Sequence, residues 1–246
     1  MSNSASETAN YILNGVAAQV GLSPVSNPWA DTSQHFLQMR YLLQSCGEEL
    51  LLAYPWSWGI GTHTIITAEG DSGDYELPEQ FLQMVDQTGW DQNKNVPLIG
   101  PLSAQEWTYL EGRNLVSSTI YASFRMKKGF FCLFPQPPPA GLEVSFEYQS
   151  TFWVSDNSGN PTLQDEVRAG SDIVLFNKTL IMKFLKLRWL AAKGFDTTTP
   201  QSEFDAVFAS MTGKDKGAPV LSAGRSRRGI PYLDGWYNTP DSGYGI

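Results

Sequence analysis

The acidic side chains that could act in catalysis are not spaced to work together. Glu48 and Glu49 are neighbours in a segment with helical periodicity. Adjacent side chains on a helix point about 100° apart, whereas a glycosidase needs two carboxylates that converge on one bond. We therefore predict that this pair lies on a solvated helix face and does not act as acid and base.

The histidines and cysteines are equally scattered. His35 and His63 fall in different predicted segments, and Cys46 and Cys132 each lie in an apolar stretch. A zinc site needs ligands in closely spaced pairs, so the sequence predicts no metal site. No glycine-rich motif indicates a nucleotide or another cofactor. The two cysteines are expected to be buried and reduced, with a disulfide between them as the alternative.

The composition is that of a folded, acidic protein. Hydrophobic residues make up 41% of the chain and charged residues 17%, with a net charge of −8. This balance favours a packed structure over a disordered one, and the negative charge argues against generic nucleic-acid binding, which requires basic groups. The first ten residues lack the features of a secretory signal, and no segment is long and apolar enough to span a membrane. We expect a soluble protein, made in the cytoplasm, with no membrane partner.

Helical periodicity marks the first part of the chain, and a first helix is predicted over 7–20 with Ser6 as its cap. A second is predicted from Asp31 to Tyr54, capped by Asp31 or Thr32. Its apolar residues step by three and four positions, as a stripe against a neighbouring helix requires. They are Phe36, Met39, Leu43, Cys46, Leu50 and Ala53.

Helical periodicity returns after residue 162. A helix over Asp172–Lys193 is apolar around most of its circumference, and a last helix is predicted over 200–212. The lysines of the first of these could contact nucleic acid or an acidic partner, although a solvated stripe is the default interpretation. They are Lys178, Lys183, Lys186 and Lys193. The apolar surface of the long helices exceeds what a small body should bury alone, so we predict contacts between copies at Leu43, Leu50, Phe184 and Leu187.

Between these helical parts the period changes to two. The strand over 142–154 begins with strict alternation, a hairpin is predicted over 119–134, and Ser103 with Glu106 forms a capping box for a short helix over 103–111. The predicted fold class is therefore α+β: a helical bundle body, an inserted antiparallel β module and an extended C-terminal arm. The predicted boundaries are 1–60 and 161–216 for the body, 61–160 for the β module and 217–246 for the arm.

The arm is the strongest functional signal. It is rich in glycine and cannot bury a core of its own, yet it carries the residue types that anchor protein interfaces. They are Arg225, Arg227, Arg228, Tyr232, Trp236 and Tyr237. A docking arm is the favoured interpretation, with a disordered end and an RNA-binding segment as alternatives.

The order of several short motifs is typical of one family. Asn14 in the first helix is followed by Gly21-Leu22-Ser23-Pro24-Val25, and the second helix ends near Trp56. Gly73-Asp74-Tyr75-Glu76-Leu77-Pro78-Glu79-Gln80-Phe81 comes next, and the late helix ends in Ala191-Ala192-Lys193-Gly194-Phe195-Asp196. Over about 1–216 the chain resembles the head-to-tail adaptor proteins of short-tailed bacteriophages, of the tail tubular protein A or tail accessory factor type.

The resemblance implies a non-enzymatic virion component at the head–tail junction. About twelve copies would form a ring beneath the portal protein, present a platform to the tail nozzle protein and let double-stranded DNA pass without sequence-specific binding. The arm would then dock on the portal. Two other classes stay open: a tail-associated receptor- or carbohydrate-binding module, which needs exposed aromatics around one concave site, and a muralytic hydrolase, which needs a convergent Glu/Asp pair.

Overall fold

The computed structural model describes residues 7–112 and 122–215, and their fold is α+β, with five helices and several antiparallel sheets. A 3-10 turn at Ser57–Gly59 precedes β2. In chain order the elements are β1 (Glu7–Thr8), α1 (Ala9–Gln19), α2 (Gln34–Ala53), β2 (Ile60–Ile66), β3 (Asp74–Glu76), β4 (Phe81–Met84), β5 (Trp90–Asp91), β6 (Val96–Pro97), α3 (Ala104–Gly112), β7 (Ser123–Lys127), β8 (Phe130–Phe134), β9 (Glu143–Ser150), β10 (Val154–Ser155), β11 (Leu163–Gln164), β12 (Ile173–Val174), α4 (Lys178–Ala192) and α5 (Thr198–Asp215). None of these helices is long and apolar enough to cross a membrane.

Helices from the two ends of the chain share one hydrophobic core. The helix α4 contacts α1, α2 and α5, and its residues Leu180, Ile181 and Leu185 are fully buried. The apolar stripe predicted for α2 faces this core, except that Ala53 at its end is exposed. Burial of a large apolar side chain stabilises the fold by about 1.5–3 kcal/mol relative to leaving it in water, so this stripe accounts for the position of α2.

The starts of α1 and α2 differ from the sequence predictions. The side chain of Thr8 caps α1 by accepting a hydrogen bond from the backbone N–H of Tyr11, and Ser6, the predicted cap, lies outside the described residues. The helix α2 begins at Gln34 after Ser33. The carboxylate of Asp31 accepts from the N–H of Ser33 at 2.7 Å, which closes a turn before the helix and removes Asp31 as its cap.

The helix predicted over Asp172–Lys193 begins six residues late, at Lys178. Ile173 and Val174 instead form β12, which pairs with β1 and β10 in a four-stranded sheet. The side chain of Asn177 caps α4 by accepting from the N–H of Thr179 at 2.9 Å. β-branched residues pack well on a pleated surface. Ile173 and Val174 form a strand here because residues 7–8 and 154–155 pair with them on either side.

The last helix is longer than predicted, because α5 runs from Thr198 to Asp215. The carboxylate of Asp196 accepts from the N–H and the hydroxyl of Thr198, which supports the first turn. The predicted apolar face packs against the shared core. It consists of Phe204, Val207, Phe208 and Met211, all partly buried.

The β module consists of two antiparallel sheets that face each other across a second core. One sheet holds β2, β9, β5 and β6 in that order, with β4 also paired to β9, and the other holds β3, β8 and β7. The rings of Phe124, Phe131 and Phe146 stack in sequence, each 4.8 Å from the next. As predicted, Leu142, Val144, Phe146 and Tyr148 all lie on the buried face, because alternate residues of a strand point to the same side.

The predicted hairpin and short helix are both present in this module. β7 and β8 pair in register over five residues, and the other face of β8 is covered by Trp107 of α3, which packs on Cys132 and Phe134. The capping box at the start of α3 is confirmed: Ser103 N–H donates to Glu106, and Glu106 N–H donates to Ser103 Oγ. Residues 113–121, part of the predicted hairpin segment, lie outside the described residues.

Trp153 and Val154 are buried in the core of the helices, not in that of the two sheets. The described chain therefore passes from the β module to the helical core at about residue 150, at the end of β9.

Candidate interaction surfaces

The residues predicted to lie between copies are inside the chain. Leu43, Leu50, Phe184 and Leu187 are at most 7% exposed, and all belong to the core shared by the helices. The ring of Phe184 stacks on that of Phe204, 4.5 Å away. Packing within one chain explains their burial, so these four side chains are not available for contacts between copies.

The outer face of α2 carries exposed apolar side chains. Tyr41 and Leu52 are 79% and 71% exposed, and Leu37 is exposed at the edge of the same face. Residues 37, 41 and 52 lie on one side of a helix, since they are separated by about one and three turns. We call Leu37, Tyr41 and Leu52 the outer stripe of α2. Exposed Ser45 and Glu48 lie between Tyr41 and Leu52 on the same face, so the outer stripe is a row of large apolar side chains separated by polar ones. Large apolar side chains left in water on a helix whose other face is packed make this face a candidate for contact with another molecule.

A groove runs beside the outer stripe. Its apolar floor is formed by Leu51, Leu52 and Leu82, and its polar lining is formed by Gln44, Glu48, Thr151, Asp165 and Glu166. Arg168 forms ion pairs with both Asp165 and Glu166. Three carboxylates with one arginine leave the groove negative, which suits a basic partner.

The adjacent glutamates Glu48 and Glu49 have separate environments, as their helical spacing predicts. Glu48 is exposed and accepts from the side chain of Gln44, while Glu49 forms an ion pair with Arg188 of α4. The two histidines are also apart, because His35 is exposed on α2 and His63 packs against Phe146 in the β module. Within residues 7–112 and 122–215, no group of three His, Cys, Asp or Glu side chains could hold a metal ion.

Both cysteines are buried free thiols, as predicted. Burial is the main reason that the pKa of Cys46 is raised far above its ordinary value. Burial also raises the pKa of Cys132, to about 11, with a further contribution from Asp74. Thiols react through the thiolate, so both side chains serve as small apolar core residues.

The lysines of α4 are partly engaged inside the chain. Lys178 forms an ion pair with Glu7 at 3.1 Å, and Lys183 forms one with Glu203. The hydrogen bond that Lys178 donates to Glu7 raises the pKa of Lys178, and the one that Lys183 donates to Glu203 lowers the pKa of Glu203. The amine of Lys193 lies 5.5 Å from the ring centre of Trp189. These contacts reduce the positive surface that α4 could offer to nucleic acid.

Two of the short sequence motifs are joined by side-chain hydrogen bonds. The amide group of Asn14 donates to the carbonyl of Val25 at 2.8 Å and accepts from the N–H of Val25 at 3.1 Å. Gly21, between them, has a φ of +80° and ends the helix. Asn14 therefore fixes the loop that leads from α1 towards α2.

A comparison with protein families finds a match that begins within α1 and ends within α5. The model of the SU10 adaptor protein family matches residues 15–213. The chain is a member of the SU10 adaptor protein family, a family of phage head–tail adaptors. A comparison with curated proteins finds no match.

The family match ends at Gly213, two residues before α5 ends at Asp215. The predicted docking residues Arg225, Arg227, Arg228, Tyr232, Trp236 and Tyr237 lie beyond the match and outside the described residues. Neither comparison nor fold therefore bears on the arm. The sequence predicted excess apolar surface on the long helices only in general terms, because it did not indicate that Leu37, Tyr41 and Leu52 would be the residues of α2 left exposed.

Proposed function

We propose that this adaptor forms a ring that joins the portal to the tail nozzle of a short-tailed phage and continues the DNA channel. Membership of the adaptor family supports a structural place at the head–tail junction. The outer stripe of α2 carries the proposal, because Tyr41 and Leu52 stay largely exposed in one subunit. A ring requires that each copy contact two neighbours through different surfaces, and the stripe supplies one of them.

The ring would contain about twelve copies, the number that the resemblance to tail tubular and tail accessory proteins implies. The net charge suits a DNA channel. The arm carries three arginines and two aspartates, so the rest of the chain has a net charge of −9. An acidic wall does not capture phosphates, so double-stranded DNA would slide past it without sequence-specific binding.

The arm is proposed as the part that docks on the portal. Its arginines would pair with acidic groups, and its aromatic residues would fill apolar hollows between portal subunits. These two residue types dominate the binding energy of many interfaces. The glycines of the arm would let its backbone follow a narrow groove.

A tail-associated receptor- or carbohydrate-binding module is the alternative function. It would need a platform of exposed aromatic rings. All seven tryptophans within the described residues are buried or half-buried, among them Trp56, Trp107 and Trp153. The described part of the chain thus offers no tryptophan platform, and its most exposed aromatic rings, Tyr11, Tyr41, Tyr109 and Phe195, lie on separate parts of the fold. The adaptor function is the better supported of the two.

The proposed function is tested by the size and shape of the purified protein, alone and with a portal. We expect closed rings by electron microscopy and a mass near twelve subunits, at least once the portal is present. A protein that stays monomeric beside a portal, at concentrations where other adaptors assemble, would contradict the proposal.

A structural role also predicts that the purified protein does not hydrolyse peptidoglycan, polysaccharide or nucleotides. Glu48, Glu49 and His63 are the residues to substitute if activity is found. Activity that is lost in a Glu48→Gln, Glu49→Gln or His63→Gln variant would overturn the structural interpretation.

A further inference from the structure

One edge of the larger sheet in the β module lacks a partner in the described part of the chain. The strand β2 pairs with β9 and with no other described strand. The N–H of Thr67, just after β2, donates to the carbonyl of Leu142 at 3.0 Å. Hydrogen-bonding direction alternates along a strand, so the backbone groups of Thr62, Thr64 and Ile66 point away from β9.

The sequence of this edge does nothing to prevent pairing with a further strand. Proteins protect free edges with charged side chains, prolines, bulges or very short strands. The opposite side of the same sheet has such features, because β6 contains Pro97 and β4 is bulged between Phe81 and Gln83. The seven residues of β2 include neither a proline nor an acidic or lysine side chain, and Ile66 is 68% exposed.

The end of α5 lies beside the start of β2. The N–H and hydroxyl of Ser57 donate to the two carboxylate oxygens of Asp215, at 3.0 and 2.6 Å. Ser57 is three residues before Ile60, where β2 begins, and Asp215 is the last residue of α5. One turn earlier, Thr212 accepts a hydrogen bond from the hydroxyl of Tyr54. The helix α5 therefore ends close to the first residues of β2.

The sequence after α5 is suited to form an edge strand. It reads Gly217-Ala218-Pro219-Val220-Leu221-Ser222-Ala223-Gly224. Three extended residues after Asp215 reach about 10 Å, enough to bring Ala218 level with the start of β2. The N–H and C=O groups of successive strand residues point to opposite sides. If the backbone nitrogen and carbonyl of Pro219 face outward, the N–H and C=O groups of Ala218, Val220 and Ser222 therefore face β2. Proline is found on edge strands with its nitrogen facing solvent, and there it would protect the new edge.

We infer that residues 217–224 add to the free edge of β2 in the same subunit, as a strand parallel to β2. Attachment of the segment at Asp215 favours its own subunit over a second copy, because a short tether gives a local concentration in the millimolar range. The backbone groups of Ala218, Val220 and Ser222 would pair with those of Thr62, Thr64 and Ile66. Arg225 would then leave the β module near Ile66, which sets the origin of the docking arm. The inference rests on the free edge and on Asp215, and holds whether or not the ring exists.

Two proline variants of the full-length protein test the pairing. Val220→Pro removes an N–H that would donate to β2, whereas Leu221→Pro, the matched control, removes one that would face solvent. We expect the amides of Thr62, Thr64 and Ile66 to exchange at least roughly tenfold faster in Val220→Pro than in the wild type or in Leu221→Pro. Equal exchange in all three proteins would overturn the inference.

A pair of cysteines distinguishes the same subunit from a second copy. In a Thr64→Cys, Leu221→Cys protein, parallel pairing would place the two side chains beside each other on the exposed face of the sheet, within reach of a disulfide, while Cys46 and Cys132 stay buried. The expected product under mild oxidation is a cross-linked single chain, at all dilutions. A product consisting of covalent dimers would show that a second copy supplies the strand and would refute pairing within one subunit.

Discussion

Gly47 of α2 lies directly against the indole ring of Trp153. A Cβ atom at position 47 would come within 2.4 Å of that ring, and Trp153 is fully buried, so other core residues would have to move with the ring. The contact joins α2 to the segment that leads out of the β module. A glycine in the middle of a helix ordinarily lowers stability by about 0.5–1 kcal/mol relative to alanine, and close packing on Trp153 is the reason for it here.

Gly47→Ala should therefore destabilise the protein despite the better helix propensity of alanine. Overpacking a filled core costs about 1–3 kcal/mol, which exceeds the propensity gain. The matched control is Gly213→Ala in α5, where a Cβ atom would meet nothing within 4 Å and where we expect a gain of about 0.5–1 kcal/mol. Urea unfolding of both variants measures the two changes. A stabilised Gly47→Ala protein would contradict this account of the core.

The periodicity of apolar residues and the spacing of capping residues were enough to predict the elements whose pattern repeats over a short stretch of sequence. The stripe of α2 and the alternation in β9 each repeat over several residues, so they indicate a buried face without knowledge of the partner. The capping box of Ser103 and Glu106 is also a short-range pattern. Elements of this kind were predicted to within a few residues.

Features that depend on distant partners were not predictable in the same way. Ile173 and Val174 fit a helical pattern, but pairing with residues 7–8 and 154–155 makes them a strand. Likewise, an apolar stripe in a sequence shows that a surface will be covered and not which chain covers it. Leu43 and Phe184 are covered by their own chain, whereas Tyr41 is left exposed.

The outer stripe of α2 predicts which substitutions block assembly without unfolding. Tyr41→Asp together with Leu52→Asp should leave the subunit folded, because both side chains are mostly in water. It should abolish ring formation, since a carboxylate buried without a partner is costly. Phe184→Asp is the contrasting variant, and it should prevent folding because Phe184 is buried. Circular dichroism and particle mass separate these outcomes. Rings of normal size from the double variant would show that the stripe is not a subunit contact.

The pKa of His63 predicts how stability depends on pH. Partial burial penalises the charged imidazole and lowers its pKa below the ordinary value. The unfolded chain then binds more protons than the fold, so stability is complete above about pH 6.5 and falls as the pH decreases through that value. His63→Gln should reduce this loss between pH 7.5 and 5.5. His35→Gln is the control, because His35 is exposed, and it should behave like the wild type. An unchanged pH dependence in His63→Gln would contradict the prediction.

If the arm docks on the portal, its removal should abolish portal binding while the rest of the subunit stays folded. Truncation after Gly224 removes the arginine and aromatic anchors and keeps the segment proposed to pair with β2. Ordering a backbone costs about 1–2 kcal/mol per residue, so large anchors are needed to offset it.

Replacing the aromatic anchors Tyr232, Trp236 and Tyr237 with alanine should weaken portal binding by more than about 2 kcal/mol, at low and high salt alike. Replacing Arg225, Arg227 and Arg228 with alanine should weaken binding mainly at low salt, because salt screens exposed charges. Pull-down with a portal at two salt concentrations, and hydrogen exchange across 225–246 with and without portal, measure these effects. Portal binding that survives truncation after Gly224, or an arm that exchanges equally fast in the complex, would show that the portal is held by another surface.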